Sequence, residues 1–173
     1  VAVGSAEFDL FVKEVHREIT VKAGQKCTAV RRVMVPDHLL DPVQAALIER
    51  LANTPIGNPR HPDTRMGALV SLSQRRDVLE KVAQIGAEAE CVFGAGDMPV
   101  LVDADAAKGA FVAPRLFRCD SPDQAQAVHD IEAFGPVSTL MGYRDAGYAS
   151  QLLNRGQGSL VASVFTADAG FAR

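Results

Sequence analysis

Cys27 is the first residue of this sequence whose type and setting point to chemistry. It lies in a short loop, 24–28, between a segment with helical spacing and a segment rich in β-branched residues. Such a turn can present a thiol at the edge of a sheet with backbone N–H groups directed toward it. A cysteine attacks a carbonyl carbon as its thiolate, and the resulting oxyanion needs hydrogen-bond donors. Cys27 is therefore a candidate nucleophile, although a lone cysteine is more often a small buried apolar residue.

A second group of residues with chemical potential is Glu132-Ala-Phe134-Gly135-Pro136. It places an acid and an aromatic ring on a tight Gly-Pro turn just before a predicted strand. A carboxylate in this position can bind paired hydroxyls such as those of a ribose, and Phe134 can lie against a planar ring. The alternative interpretation is a polar loop whose Phe faces the core.

Two further interpretations of Cys27 come from other functional classes. One is a Cys/His acyltransferase or hydrolase in which His61 or His129 is the base. The other is a non-catalytic binding or assembly domain. The histidines show no metal-binding spacing, and we expect the glutamates of the first helix to lie on a solvated face: Glu7, Glu14 and Glu18.

The elements that must position these residues alternate between helix and strand. The predicted helices cover residues 8–21, 41–51, 71–85, 121–130 and 145–155. Asp41, Ser71 and Ser121 are the expected N-caps of the second, third and fourth of these helices. The predicted strands cover residues 30–35, 89–93, 111–114, 136–141 and 159–165, the last with apolar residues on both faces. This alternation predicts an α/β fold with an open, mostly parallel sheet and helices packed on it.

Composition narrows the functional classes. The chain has 173 residues, 47% of them apolar and 23% charged, as expected for one domain with a buried core. The formal net charge of −3 gives no basic field for phosphates, so we expect no nucleic-acid partner. No apolar run reaches the about 18 residues of a membrane span, and the first residues do not resemble a signal peptide, so we expect a cytoplasmic protein without a membrane partner.

Cysteine usage indicates neither a disulfide framework nor a metal site. The three cysteines, Cys27, Cys91 and Cys119, are an odd number without CxxC spacing. We expect Cys91 to lie in the core and Cys119 to be partly exposed. Arg31 and Arg32 flank the loop of Cys27, and the sequence assigns a role neither to them nor to Cys119.

The two groups of residues described above also occur together in a known family. Gly24-Gln25-Lys26-Cys27-Thr28-Ala29 resembles the active-site cysteine motif of the aldehyde dehydrogenase superfamily, and Glu132-Ala-Phe134-Gly-Pro136 resembles its downstream motif in order and spacing. Residues 57–59, 64–67, 111–114 and 160–166 resemble the family's connecting segments, so the match covers nearly the whole chain. The sequence of residues 22–32 is most similar to the semialdehyde dehydrogenase domain of bifunctional ring-opening proteins of phenylacetate degradation and their benzoyl-CoA pathway relatives.

The resemblance implies roles for individual residues. Cys27 would be the nucleophile, with its backbone N–H helping to hold the oxyanion; Glu132 would bind the nicotinamide-side ribose; and Phe134 would pack near the nicotinamide. The implied reaction is oxidation of an aldehyde, here a CoA-linked semialdehyde of aromatic catabolism, to the acid through a thiohemiacetal and a thioester. The implied cofactor is NADP or NAD, with NADP favoured, and the implied partners are a small-molecule aldehyde and further copies in a homo-oligomer.

The resemblance also sets an expectation for the extent of the domain. Residues 1–173 would be the cysteine-bearing part of the catalytic domain, without the cofactor-binding domain and the C-terminal segment. The family's general-base Glu and its oxyanion-binding Asn would lie upstream of Val1. We therefore expect the isolated chain to be inactive.

Overall fold

A four-stranded sheet organises the part of the chain that the computed structural model describes, which is residues 2–96, 98–168 and 170. The strands are β1 (Arg32–Pro36), β2 (Glu90–Phe93), β3 (Arg115–Cys119) and β4 (Val137–Tyr143), in the order β1-β4-β3-β2. β4 pairs in parallel with β1 and with β3, whereas β2 pairs antiparallel with β3 at the edge. The predicted open, mostly parallel α/β sheet is confirmed.

Helices cover both faces of this sheet. They are α1 (Ala6–Thr20), α2 (Leu40–Ala52), α3 (Leu72–Ile85), α4 (Ala127–Asp130) and α5 (Ala146–Asn154). Successive residues of a strand point to opposite faces, so β4 contributes Leu140 to the core shared with α1 and α2 and Met141 to the core shared with α3. Among the helices described, none has the length and apolar character needed to cross a membrane.

The first predicted helix is confirmed at α1, whose buried apolar stripe fixes the path of the chain to Cys27. Phe8, Val12, Val15 and Ile19 are all buried, as their helical spacing requires. After Thr20 the chain turns sharply, because Lys22, Ala23 and Gly24 all have positive φ, at 53°, 51° and 70°. The left-handed region costs a non-glycine residue about 1–2 kcal/mol. This turn ends α1 and starts the loop of the candidate nucleophile.

Two of the three expected helix caps are wrong, and in both cases the missing information was a partner distant in sequence. Asp41 does not cap α2, since its carboxylate accepts from Arg118 Nη1 of β3 at 2.6 Å. Ser121 does not start a helix either; the helical turn begins at Ala127, where the Glu88 carboxylate accepts from two successive backbone N–H groups. Ser71 caps α3 as predicted, with Oγ accepting from the backbone N–H of Gln74.

Two strand predictions also need correction. The strand expected at 111–114 lies instead at β3, and Cys119 is 1% exposed rather than partly exposed, because the arginines of β3 obscured its apolar alternation. The segment 159–165, expected to be a buried strand, forms no strand, and Leu160, Val161 and Val164 are exposed. It lies beside β1 and is tied to it by Arg31, which donates to Gln157 O and Ser159 Oγ.

Candidate active site

Cys27 and Glu132 line the same groove, which has a volume of about 770 Å³. The groove runs along β1 and is bounded on its far side by the segment 158–166. Cys27 is exposed in the loop before β1, so the expectation that this turn presents the thiol at the sheet edge agrees with its position. Phe134 is not part of the groove wall; its ring lies nearby on the same turn as Glu132 and is 38% exposed.

Sheet topology explains why residues so far apart in sequence meet. Cys27 lies in the loop that leads into β1, and Glu132 lies in the loop that leads into β4. Because β1 and β4 are parallel neighbours, both loops reach the amino end of the sheet. The loop that leads into β1 is also bonded to the first residues of β4: Thr139 N–H donates to Arg31 O at 2.9 Å, and Ser138 Oγ donates to Val30 O.

The backbones of the two loops are in direct contact at Gly24 and Gly135. A Cβ built on Gly24 would lie 2.8 Å from Pro136 N and still closer to the carbonyl oxygen of Gly135. No side chain fits there, and φ at Gly24 is 70°, in the region that favours glycine. Gly24 therefore lets the two loops touch, whereas Gly135 makes room for Val78 of α3, whose methyl groups would lie 2.9 Å from an added Cβ.

Two glutamines that the sequence reasoning missed hold these loops to the start of α3. Gln74 Nε2 donates to the carbonyl oxygen of Phe134 at 3.1 Å, and Gln25 Oε1 accepts from the backbone N–H of Val70 at 2.9 Å. Phe134 itself has φ of 52°, which is rare for an aromatic residue. Strain of this kind persists where the surroundings impose it and is frequent at functional sites. The capping pattern of Ser71 places Gln74 in the first turn of α3, but no sequence signal points to its bond with Phe134.

The backbone of the Cys27 loop has donors available for an oxyanion. Within the described part of the chain, the N–H groups of Cys27 and Thr28 donate to no other oxygen. Next to them, Lys26 Nζ lies 2.6 Å from Glu18 Oε2, in an ion pair whose side chains are 25% and 17% exposed. The expectation that Glu18 belongs to a solvated helix face is therefore wrong. Its carboxylate lines the groove but is engaged by Lys26.

Comparison with known proteins assigns the chain to a family. The model of the aldehyde dehydrogenase family matches residues 1–173. The chain belongs to the aldehyde dehydrogenase family. It is 48% identical, over 97% of its own length and 33% of the other protein, to a 3,4-dehydroadipyl-CoA semialdehyde dehydrogenase of Aromatoleum evansii. It is also similar to protein MaoC of Klebsiella aerogenes, with 47% identity over 62% of this chain and 31% of that protein.

Solved structures agree with this assignment. A betaine aldehyde dehydrogenase of Staphylococcus aureus in complex with NAD+ has a TM-score of 0.82 and 30% identity, covering 98% of this chain and 33% of that one. Another structure of the same enzyme with NAD+ has a TM-score of 0.76 and 31% identity, covering 87% and 29%. The chain thus spans about a third of the length of the relatives that it matches.

Neither His61 nor His129 of this aldehyde dehydrogenase chain forms a dyad with Cys27. His129 is buried, and both ring nitrogens are engaged: Nε2 donates to Pro122 O at 2.7 Å, and Nδ1 accepts from Arg32 Nη1 at 3.1 Å, because a guanidinium can only donate. His61 lies in a loop with Asp63. Neither ring lines the groove of Cys27. The geometry therefore gives the acyltransferase interpretation no support.

The residues left without a role by the sequence have structural ones. Arg32 Nη1 and Nη2 donate to the carbonyls of Leu152 and Leu153 at the end of α5, at 2.7 and 3.2 Å, and these carbonyls also accept from the backbone N–H groups of Arg155 and Gly156. Arg31 holds the segment after α5, as described above. Cys119 is part of the core, and burial raises the pKa of its thiol.

We expect Gly24→Ala to separate the two loops. The added methyl group meets the Gly135–Pro136 backbone and also makes a positive φ costly, so the free energy of unfolding should fall by about 3 kcal/mol. Gly158→Ala is the matched control, because Gly158 has φ of 77° with no atom within 4 Å of an added Cβ. It should cost only about 1 kcal/mol. Urea unfolding measures both; equal losses would show that the loop contact imposes no constraint.

Proposed function

We propose that this chain is the cysteine-bearing part of the catalytic domain of an NAD(P)-dependent enzyme that oxidises an aldehyde to an acid. The observation that carries the proposal is the shared groove of Cys27 and Glu132, formed by two loops in backbone contact at Gly24 and Gly135. Family membership supports the same reaction class. The cofactor-binding domain, the general base and a side-chain oxyanion donor would come from other parts of a longer protein.

Cys27 would supply the nucleophile. Its thiolate adds to the aldehyde carbon, a C–S bond forms, and the carbonyl oxygen becomes an oxyanion near the N–H groups of Cys27 and Thr28. NAD(P)+, when bound, accepts the hydride that leaves this carbon. The thioester that remains on Cys27 is then hydrolysed by water, which forms the acid and releases the thiolate. The open groove gives both aldehyde and water access to the sulfur.

Glu132 and Phe134 fit a nicotinamide nucleotide. The Glu132 carboxylate is exposed in the groove, and ionised carboxylates are acceptors only, as a pair of ribose hydroxyl donors requires. The partly exposed Phe134 ring offers a flat apolar surface beside it. We assign Glu132 to the ribose and Phe134 to the nicotinamide side. The resemblance of the Cys27 segment favours NADP+ over NAD+.

The substrate that we propose is a CoA-linked semialdehyde of aromatic catabolism. Two observations support this proposal: the 48% identity to the semialdehyde dehydrogenase of Aromatoleum evansii and the sequence of the Cys27 segment. Cytoplasmic localisation and homo-oligomerisation of the whole protein stay predictions.

Replacement of Cys27 tests the nucleophile. In the whole protein, Cys27→Ala should lower the rate of NAD(P)H formation by about a thousandfold or more, because no other group can form the acyl intermediate. Cys91→Ala, in β2 and away from the groove, is the control and should keep the rate. Absorbance of NAD(P)H measures both. A Cys27→Ala protein with at least half of the wild-type rate would favour another catalytic residue, and a wild type without activity would favour a non-catalytic domain.

Replacement of Glu132 tests the cofactor contact. Glu132→Gln keeps the shape but removes the charge, and a hydrogen bond to a charged group is worth about 1.5–3 kcal/mol, so the KM for NAD(P)+ should rise at least about tenfold. The aldehyde KM should change much less. Glu80→Gln, on the exposed side of α3, removes the same charge away from the groove and should leave both values unchanged. An unaltered cofactor KM in Glu132→Gln would remove Glu132 from the binding site.

The extent of the domain has its own test. The 173-residue chain alone should form no NAD(P)H from aldehydes, whereas the whole protein should be active, because the base and most of the cofactor site are proposed to lie elsewhere. Parallel assays at equal concentration make the comparison, with Cys27 alkylation by iodoacetamide as a check that the thiol is present. Turnover by the isolated chain at the rate of the whole protein contradicts the proposal.

A further inference from the structure

His129 is a buried imidazole that connects β1, which follows the Cys27 loop, to the segment that leads to Glu132. It lies at the end of the α4 turn, three positions before Glu132, and is 1% exposed. Its Nδ1 accepts from Arg32, the first residue of β1, and its Nε2 donates to Pro122 O. Arg32 follows Cys27 by five positions along the chain. The His129–Arg32 hydrogen bond is therefore a side-chain link between the strand behind the nucleophile and the segment that leads to Glu132.

The His129–Arg32 hydrogen bond is one of two contacts that hold residues 130–134, one at each end of the segment. At the carboxyl end of that segment, Gly135 is held against Gly24, which precedes Cys27. At the amino end, His129 is held by Arg32, which follows Cys27. The segment that carries Glu132 and Phe134 is thus fixed at both of its ends to residues on both sides of the nucleophile.

Only the neutral ring with its proton on Nε2 can make both bonds. Arg32 faces Nδ1 from β1, Arg155 faces the ring from the end of α5, and Asp130 is the neighbouring acid on α4. Burial lowers the pKa of His129; the hydrogen bond to Pro122 opposes this, and the charges of Arg155 and Arg32 lower the pKa further. A proton on Nδ1 would direct an N–H at the guanidinium and break the link.

We infer that His129 is a positioning residue for the cofactor: through Arg32 it fixes the place of Glu132 relative to Cys27. This inference rests on the proposed function, since it assigns Glu132 to the ribose of NAD(P)+. Loss of the Arg32 bond frees one end of the segment and weakens the ribose contact. The sulfur of Cys27 does not move with that segment, so the chemical step is affected less than cofactor binding.

Two isosteric substitutions separate the two bonds of His129. His129→Asn places Oδ1 where Nδ1 was, so it keeps the acceptor for Arg32 and loses the bond to Pro122. His129→Gln extends an amide N–H toward Pro122, and its carbonyl oxygen lies one bond farther from the backbone than Nδ1, so no acceptor occupies the position that faces Arg32. Each variant loses one hydrogen bond, so the two form a matched pair with respect to stability.

The test measures KM and kcat of the whole protein, with NADP+ and NAD+ each as the varied cofactor, and the midpoint of thermal unfolding. In His129→Gln the cofactor KM should rise about tenfold with a smaller change in kcat, the effect of one lost hydrogen bond to a charged group. His129→Asn should stay within about twofold of the wild-type KM. Equal cofactor KM values in the two variants overturn the inference, even if both unfold at a lower temperature.

A pH profile decides the question if His129→Gln does not fold. Because the pKa of His129 is lowered, protonation breaks the Arg32 bond only at a pH below the ordinary histidine pKa of about 6.5, and the cofactor KM of the wild type should rise in that range. His129→Asn should lack this component. Identical pH profiles overturn the inference. A wild type that neither binds NAD(P)+ nor oxidises aldehydes overturns the proposed function and the role of His129 together, whereas an active wild type with indistinguishable variants overturns the role of His129 alone.

Discussion

The contact between the Gly24 and Gly135 backbones is the constraint on which the candidate site depends. Each glycine belongs to one of the two sequence motifs, and each precedes a strand of the same parallel pair. The contact leaves no room for a Cβ, so it sets the separation of Cys27 from Glu132 by backbone geometry alone. Val78 of α3 packs against Gly135 and supports the loop before β4 from the side of that helix.

The site is also where the described backbone stores strain. Lys22, Ala23 and Phe134 are three of the four non-glycine residues with positive φ in the described ranges, the other being Asp103. Each costs about 1–2 kcal/mol in isolation. The burial of the apolar stripe of α1 offsets this cost, since each fully buried large apolar side chain contributes about 1.5–3 kcal/mol. The fold thus holds its functional loops in conformations that they would not adopt alone.

The local sequence pattern was sufficient to predict the elements that depend on interactions between residues close in sequence. The stripe of α1, the Ser71 cap and the strand at β4 follow from spacing and residue type. Several failures involve partners distant in sequence: Arg118 takes Asp41 away from the cap of α2, and Glu88 takes the place expected for Ser121. The segment 159–165 has strand composition but pairs with no strand in the described part of the chain. The motif pair indicated Cys27 and Glu132, but neither the loop contact nor the His129–Arg32 bond could be foreseen, because both depend on the register of β1 against β4.

The placement of the groove clarifies what these residues can do. In open α/β sheets, ligands usually bind beyond the carboxyl ends of the strands, whereas Cys27 and Glu132 precede their strands and lie at the amino end. Cys27 does not lie at the N-terminus of a helix, so the donors for an oxyanion are the backbone N–H groups of its own loop. Glu18, an acid that lines the same groove as Cys27, is paired with Lys26. The imidazole of His129 is bonded to Arg32 and Pro122. Those two groups hold the loops in place, so in the proposed enzyme the base that activates the water would come from another part of the protein.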